Sequence, residues 1–176
     1  MGRKAHRTEA ENMKRIEYSA KSVMFVRNPS EEIQMKVISN DYENIRYIQN
    51  PYFSVQMFTI DRSRGAAIRY IVRPDEKVQM QAVQYSGWNI QYIKNPSRKV
   101  QMAAIEEDST SIKYIKNPGR MIQLFLVERP PRFIDYIQNP LEEVQMKAVQ
   151  LDPSALTLIT NPSESVQMMA KLCEVI

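Results

Sequence analysis

Few residues in this chain could do acid–base, nucleophilic or metal chemistry. His6 is the only histidine and Cys173 the only cysteine. That inventory excludes a zinc site within one chain. It also gives a Cys–His dyad or a Ser-His-Asp triad nothing beyond a single histidine. Carboxylates are the remaining option, and they cluster at Glu31-Glu32, Glu142-Glu143 and Glu106-Glu107-Asp108. The first two pairs fall at predicted helix starts, where negative charge suits the helix dipole. The third falls in a predicted turn and reads as solvated. Neither G-x-x-x-x-G-K-[ST] nor G-x-G-x-x-G occurs. The expectation is a non-enzymatic protein with no catalytic residues, no cofactor and no metal.

Three sets of side chains recur instead. A glutamine returns as Gln34, Gln56, Gln79, Gln101, Gln123, Gln145 and Gln167. Each stands beside a core valine or isoleucine, so its amide is expected to be partly buried and hydrogen-bonded, to a neighbouring copy or to a hairpin turn. A tyrosine returns as Tyr47, Tyr70, Tyr92, Tyr114 and Tyr136, which reads first as core. A basic row runs through Arg27, Arg46, Arg69, Arg73, Lys94, Lys113 and Lys116, interrupted by Asp135, with Arg3, Lys4 and Arg7 as a basic arm. Cations in a last helical turn suit the dipole. The same row, interleaved with tyrosines, would also suit a nucleic-acid backbone, and nucleic acid is the alternative partner.

The elements that must position these residues follow from a repeat, N-P-x-x-x-V-Q-M. Its proline falls at Pro29, Pro51, Pro74, Pro96, Pro118, Pro140 and Pro162, every 22 residues with one spacing of 23. A fixed period of this kind means a repeat array. In the copy that starts at Pro96, Asn95 suits a helix N-cap and Pro96 the first helical position. Val100, Ala104 and Ile105 then make an apolar stripe. A polar turn follows, and a second short helix carries Ile112, Tyr114 and Ile115 before the next proline ends it. Gly65 and Gly87 fall in that turn in two copies, as a helix C-cap would want. Neither helix is long enough to stand alone, and the first is apolar on two sides. The hairpin must be sandwiched by its neighbours, so the predicted fold is an all-α solenoid. Residues 7–28 read as a degenerate N-terminal capping repeat, 29–161 as six regular repeats and 162–176 as a C-terminal half-repeat, in a single repeat domain spanning 1–176.

The composite unit N-P-S-E-x-V-Q-M-x-A-V, followed by I-x-Y-I-x-N-P, resembles a family of short helical repeats found in bacterial and bacteriophage proteins. The match is clearest at Pro140–Gln150, Pro29–Met35 and Ile90–Asn95 and covers most of the chain. The family has no assigned function and brings no catalytic residues. The resemblance implies a HEAT-like solenoid and, by analogy, a phage-encoded modulator of a host protein.

Irregularity carries the functional signal. The exposed face of the first helix is polar in ordinary repeats, with Glu31, Glu32 and Lys36, or Glu142, Glu143 and Lys147. The repeat at Pro51 has Tyr52, Phe53 and Phe58 there, and the repeat at Pro118 has Met121 and Phe125. Exposed apolar residues that packing does not require mark partner sites, so these five are the expected protein-binding residues. Local repacking beneath altered turns is the competing explanation, since the one-residue insertion near Gly65 and Pro130-Pro131 fall in the same two repeats. Met168, Leu172, Val175 and Ile176 lie on a last helix with no second helix to cover them, which suggests a homodimer. Charged residues at 25% and four glycines argue against disorder. No apolar run is long enough to span a membrane and no signal peptide is visible. With one cysteine, the expected location is the reducing cytoplasm of a bacterial or phage-infected cell.

Overall fold

A computed structural model of the chain describes residues 7–174. His6, Arg3, Lys4, Val175 and Ile176 lie outside the described residues. The fold is all-α and solenoid-like, short helices in a repeated arrangement, with no strand among the described residues. The chain divides into two compact bodies, Met1–Tyr85 and Ser86–Ile176.

In the first body the α-helices are α1 Glu9–Tyr18, α2 Glu31–Ser39, α3 Phe53–Ser63 and α4 Glu76–Tyr85. The shorter second helices expected in each repeat are 3₁₀ rather than α: Ala20–Phe25, Tyr42–Tyr47 and Ala66–Tyr70. The second body holds α5 Arg98–Glu107, α6 Arg120–Val127, α7 Glu142–Leu151 and α8 Glu164–Cys173. Its 3₁₀ segments are Gly87–Tyr92, Ser109–Tyr114, Pro131–Tyr136 and Pro153–Leu158. Within each body successive α-helices pack side by side, successive 3₁₀ segments do the same, and the two layers meet. At five or six residues these segments are longer than the usual run of the tighter helix, whose poorer hydrogen bonds keep it short.

The core lies between the layers. Val55, Val78, Val100, Val144 and Val166, four residues after their prolines, are fully buried. Ile45, Ile68, Ile90, Ile112 and Ile134 meet them from the 3₁₀ segments, also buried. Each such side chain contributes about 1.5–3 kcal/mol by leaving water. The methionines two residues beyond the valines are only half-buried in α2 to α5 and in α7.

The helix starts differ from the sequence expectation. Asn28, Asn95, Asn117, Asn139 and Asn161 do not cap helices but adopt left-handed backbone, with φ between 50 and 54°. Asparagine tolerates that region better than other non-glycine residues. The caps sit two residues later: Ser30, Ser97 and Ser163 accept from the N–H of Ile33, Val100 and Val166. The inserted residue is absorbed where α3 ends, by Arg64 at φ 49° and Gly65 at φ 84°. Gly87 serves a different purpose from a C-cap. A Cβ there would stand 2.3 Å from the Ala104 carbonyl oxygen, so only glycine lets the segment lie against α5.

The recurring glutamine joins the repeats. Its Nε2 donates to the carbonyl of its own repeat's proline, five residues back, in Gln34, Gln56, Gln79, Gln101, Gln123, Gln145 and Gln167. Its Oε1 accepts the N–H just after the next proline: Tyr52 to Gln34 (2.9 Å), Asp75 to Gln56 (3.2 Å) and Leu141 to Gln123 (3.0 Å). Gln34, Gln56 and Gln123 are buried. Removing such an amide strands two backbone groups, each costing about 1–3 kcal/mol when buried. Gln123→Leu is therefore expected to lower stability by about 2–4 kcal/mol in denaturant titration. Gln167→Leu, at an exposed position, is expected to change it by less than about 0.5 kcal/mol.

Candidate functional site

The carboxylate clusters are part of the scaffold. Glu31 accepts the Ser54 hydroxyl of the next repeat, and Glu142 accepts that of Ser163. Arg120 Nε meets Glu143 at 2.5 Å. The third cluster is not simply solvated. Glu107 accepts the Gly87 N–H, and Asp108 accepts Trp88 Nε1 at 2.6 Å and the Thr110 N–H at 2.8 Å. Asp41, Asp108 and Asp152 each cap a 3₁₀ segment in this way. No group of three potential metal-ligating side chains occurs among the described residues. No helix there is long and apolar enough to cross a membrane.

Partial burial of Asp108 works to raise its pKa. Hydrogen bonds from the Thr110 hydroxyl and N–H and from Trp88, with the positive Lys113, outweigh that and hold it below the ordinary 3.8. A lowered folded-state pKa stabilises the fold fully above 3.8, and the effect is lost as pH falls through the folded-state value. Asp108→Asn is expected to melt below the parent protein at neutral pH. The difference should narrow as pH drops below 3.8 and vanish once the native carboxyl is protonated.

The tyrosine ladder is not core. Tyr47, Tyr70 and Tyr136 are half-buried, and Tyr92 and Tyr114 are exposed. Cations of the preceding repeat lie over some of these rings: Arg46 stands 4.2 Å from the Tyr70 centroid and Lys113 3.8 Å from that of Tyr136. Arg46 also pairs with Glu43, and its Nε donates to the Glu43 carbonyl at 2.9 Å. Arg69 Nε donates to the Ala66 carbonyl at 3.1 Å. Arg46, Arg69 and Lys113 stand in the last turns of their 3₁₀ segments, where cations suit the helix dipole. Arg27, Arg73, Lys94 and Lys116 are exposed.

Three clefts of about 560–570 Å³ recur at one register, each between a repeat's Asn-Pro loop and the next 3₁₀ segment. Arg27, Tyr47 and Tyr52 line the first, Lys94, Tyr114 and Lys116 the second, and Asp135 and Leu158 the third. The basic row thus edges the first two clefts and not the third.

The apolar residues at normally polar sites are on the surface. Phe58 is 39% exposed and Met121 51%; Tyr52 and Phe53 are exposed and Phe125 is half-buried. An arginine four residues on reaches over each ring: Arg62 at 5.7 Å from Phe58, and Arg129 at 4.3 Å from Phe125. Spacing of i,i+4 could have revealed this cover in the sequence. Tyr52 and Phe58 do not share a patch. Phe58 lines a groove with Met13 of α1 and Met35 of α2, while Tyr52 lines the first cleft with Met24 and Phe25. Met168 is 64% and Leu172 59% exposed on α8.

Comparison of the chain with protein-family models, with curated proteins and with solved structures finds no match.

Proposed function

We propose that this protein is a non-enzymatic, protein-binding repeat scaffold. The observation that carries the reading is the exposure of Tyr52, Phe53, Phe58 and Met121, with Phe125 half-buried, where sister repeats are polar. Seven residues after the proline stand Lys36, Gln81 and Lys147, yet Phe58 and Phe125 take that place in α3 and α6. One residue earlier in the repeat register than α2's first Glu, Tyr52 replaces Ser30, and Phe53 replaces Glu31 itself. Met121 replaces Glu32. The scaffold accepts polar residues at all these positions, so packing does not explain the exchange. In this reading Tyr52, Phe53, Phe58, Met121 and Phe125 contact a protein partner. The setting is the cytoplasm of a bacterial or phage-infected cell, with the chain acting as a modulator of a host protein.

Phe58→Lys and Phe125→Lys test this, with capture from bacterial lysate as the assay. Stability is expected to stay within about 1 kcal/mol, as for surface substitutions. Partner capture is expected to vanish, since a buried aromatic anchor is worth about 2 kcal/mol or more. A large fall in melting temperature with capture unchanged per folded molecule would show the rings to be packing elements instead.

The exposed face of α8 supports self-association as a second contact. Leu172 stands where other repeats carry Ser39, Asp61, Gln84, Glu106, Glu128 and Gln150. Met168 is exposed where its counterparts in α2 to α5 and α7 are half-buried. Light scattering at micromolar concentration is expected to give a homodimer, and Leu172→Glu a monomer. A monomer for the unaltered chain at high concentration would contradict this contact.

A further inference from the structure

The first cleft differs from its two counterparts in its walls. Met24, Phe25, Tyr47 and Tyr52 line it. Phe25 is 73% exposed, at the register that Tyr47 and Tyr70 occupy in the next repeats. Asn28, Gln49 and Asn50 also line the cleft and bring amide groups that both donate and accept. At about 570 Å³ it lies in the size range of ligand pockets.

Charge is uneven around it. The 3₁₀ segments of the first body and the loops that follow carry Lys21, Arg27, Arg46, Arg69 and Arg73 against Glu43. Glu43 is itself taken by Arg46. Arg27 lines the cleft, is exposed, and makes no ion pair among the described residues. Asp41 caps the second of these segments, and the other acids of this body sit on or beside the α-helices, at starts such as Glu31, Glu32 and Asp75 and near ends such as Glu17 and Asp61. A cleft with aromatic side chains, one arginine on its edge and amides along it complements one kind of partner segment.

We infer that the cleft between the 3₁₀ segments Ala20–Phe25 and Tyr42–Tyr47 docks an extended, acidic peptide segment bearing a bulky apolar side chain. The apolar side chain enters between Phe25 and Tyr47. A flanking carboxylate faces Arg27. Peptide groups of the segment meet the amides of Asn28 and Asn50. This rests on the protein-binding reading and gives the partner's chemistry. A single strand of nucleic acid fits less well, because Arg27 is the only cation among the residues that line the cleft and a phosphate backbone calls for a row of them.

Panning displayed random dodecapeptides against the full chain tests the inference. Enriched peptides are expected to combine Asp or Glu with Phe, Tyr, Trp or Leu, and to bind more weakly as salt rises. Arg27→Glu and Phe25→Ser, both at exposed positions, are each expected to reduce their affinity about tenfold or more, which is about 1.4 kcal/mol. Phe58→Lys, in the other groove, should leave it within about twofold. Basic or neutral consensus peptides would overturn the inference. So would peptides lost in Phe58→Lys but kept in Arg27→Glu and Phe25→Ser, an outcome that leaves the protein-binding reading standing. Displacement of the peptides by oligo-dT at lower concentration than by free peptide would assign the cleft to nucleic acid. Absence of any enriched peptide would count against both readings.

Discussion

A stack of short helices is weakest at its joints, where each chain reversal leaves backbone groups without helical partners. Here one side-chain amide meets that demand. The glutamine five residues after each proline donates to its own repeat's proline carbonyl, and in Gln34, Gln56 and Gln123 it also accepts the first N–H after the next proline. Much else follows from this bond. The proline carbonyl must face the glutamine, so the proline lies outside the helix; the asparagine before it is left-handed at Asn28, Asn95, Asn117, Asn139 and Asn161 but not at Asn50, where the same bond forms. The helix cap is displaced to the residue after proline. The amide is buried beside a valine that takes part in the core, so register and packing are fixed together. Gln145 marks the limit of the device, since its Oε1 has no partner.

With the joints secured by backbone-directed bonds, the surface side chains are released to vary. That separation is why exposed Phe58 or Phe25 can be read as more than packing residues. It also restrains the reading of the charges. Glu31, Glu142 and Asp108, which from sequence could have been catalytic carboxylates, accept hydrogen bonds that tie neighbouring segments. Arg46 and Lys113 are in part ring-stacking cations between consecutive repeats. Arg27 is left with neither kind of engagement among the described residues, and the cleft it lines also holds Met24, Phe25, Tyr47 and Tyr52.

The period, the all-α class and the valine and isoleucine core were legible in the sequence, because each is a spacing of apolar residues and apolar spacing survives any detail of backbone geometry. The type of the second helix was not. A run such as Tyr42–Tyr47 has too few residues for periodicity to separate 3₁₀ from α. The caps were misplaced because Asn95 and Ser97 are both good cap residues, and the choice is made by a glutamine six residues past Asn95 that needs the proline carbonyl. Gly87 stands in a turn as a C-cap glycine would, but it is there for another reason. Its need is a close approach to the Ala104 carbonyl, which no local pattern encodes. The candidate site was legible as anomalies in a repeat, but not its division between two faces. Tyr52 and Phe58 are near in sequence, but Tyr52, just before α3, lines the first cleft and Phe58, within α3, lines the groove beside Met13 and Met35.

Amide hydrogen exchange resolved by residue tests the central role of the glutamine most directly. The N–H groups of Tyr52, Asp75 and Leu141 precede their helices and would exchange as loop amides if unbonded. The glutamine account predicts protection for these three close to that of the helix interiors, with Ser163, whose counterpart acceptor on Gln145 has no partner, exchanging much faster. Exchange of Tyr52, Asp75 and Leu141 as fast as that of Ser163 would contradict it.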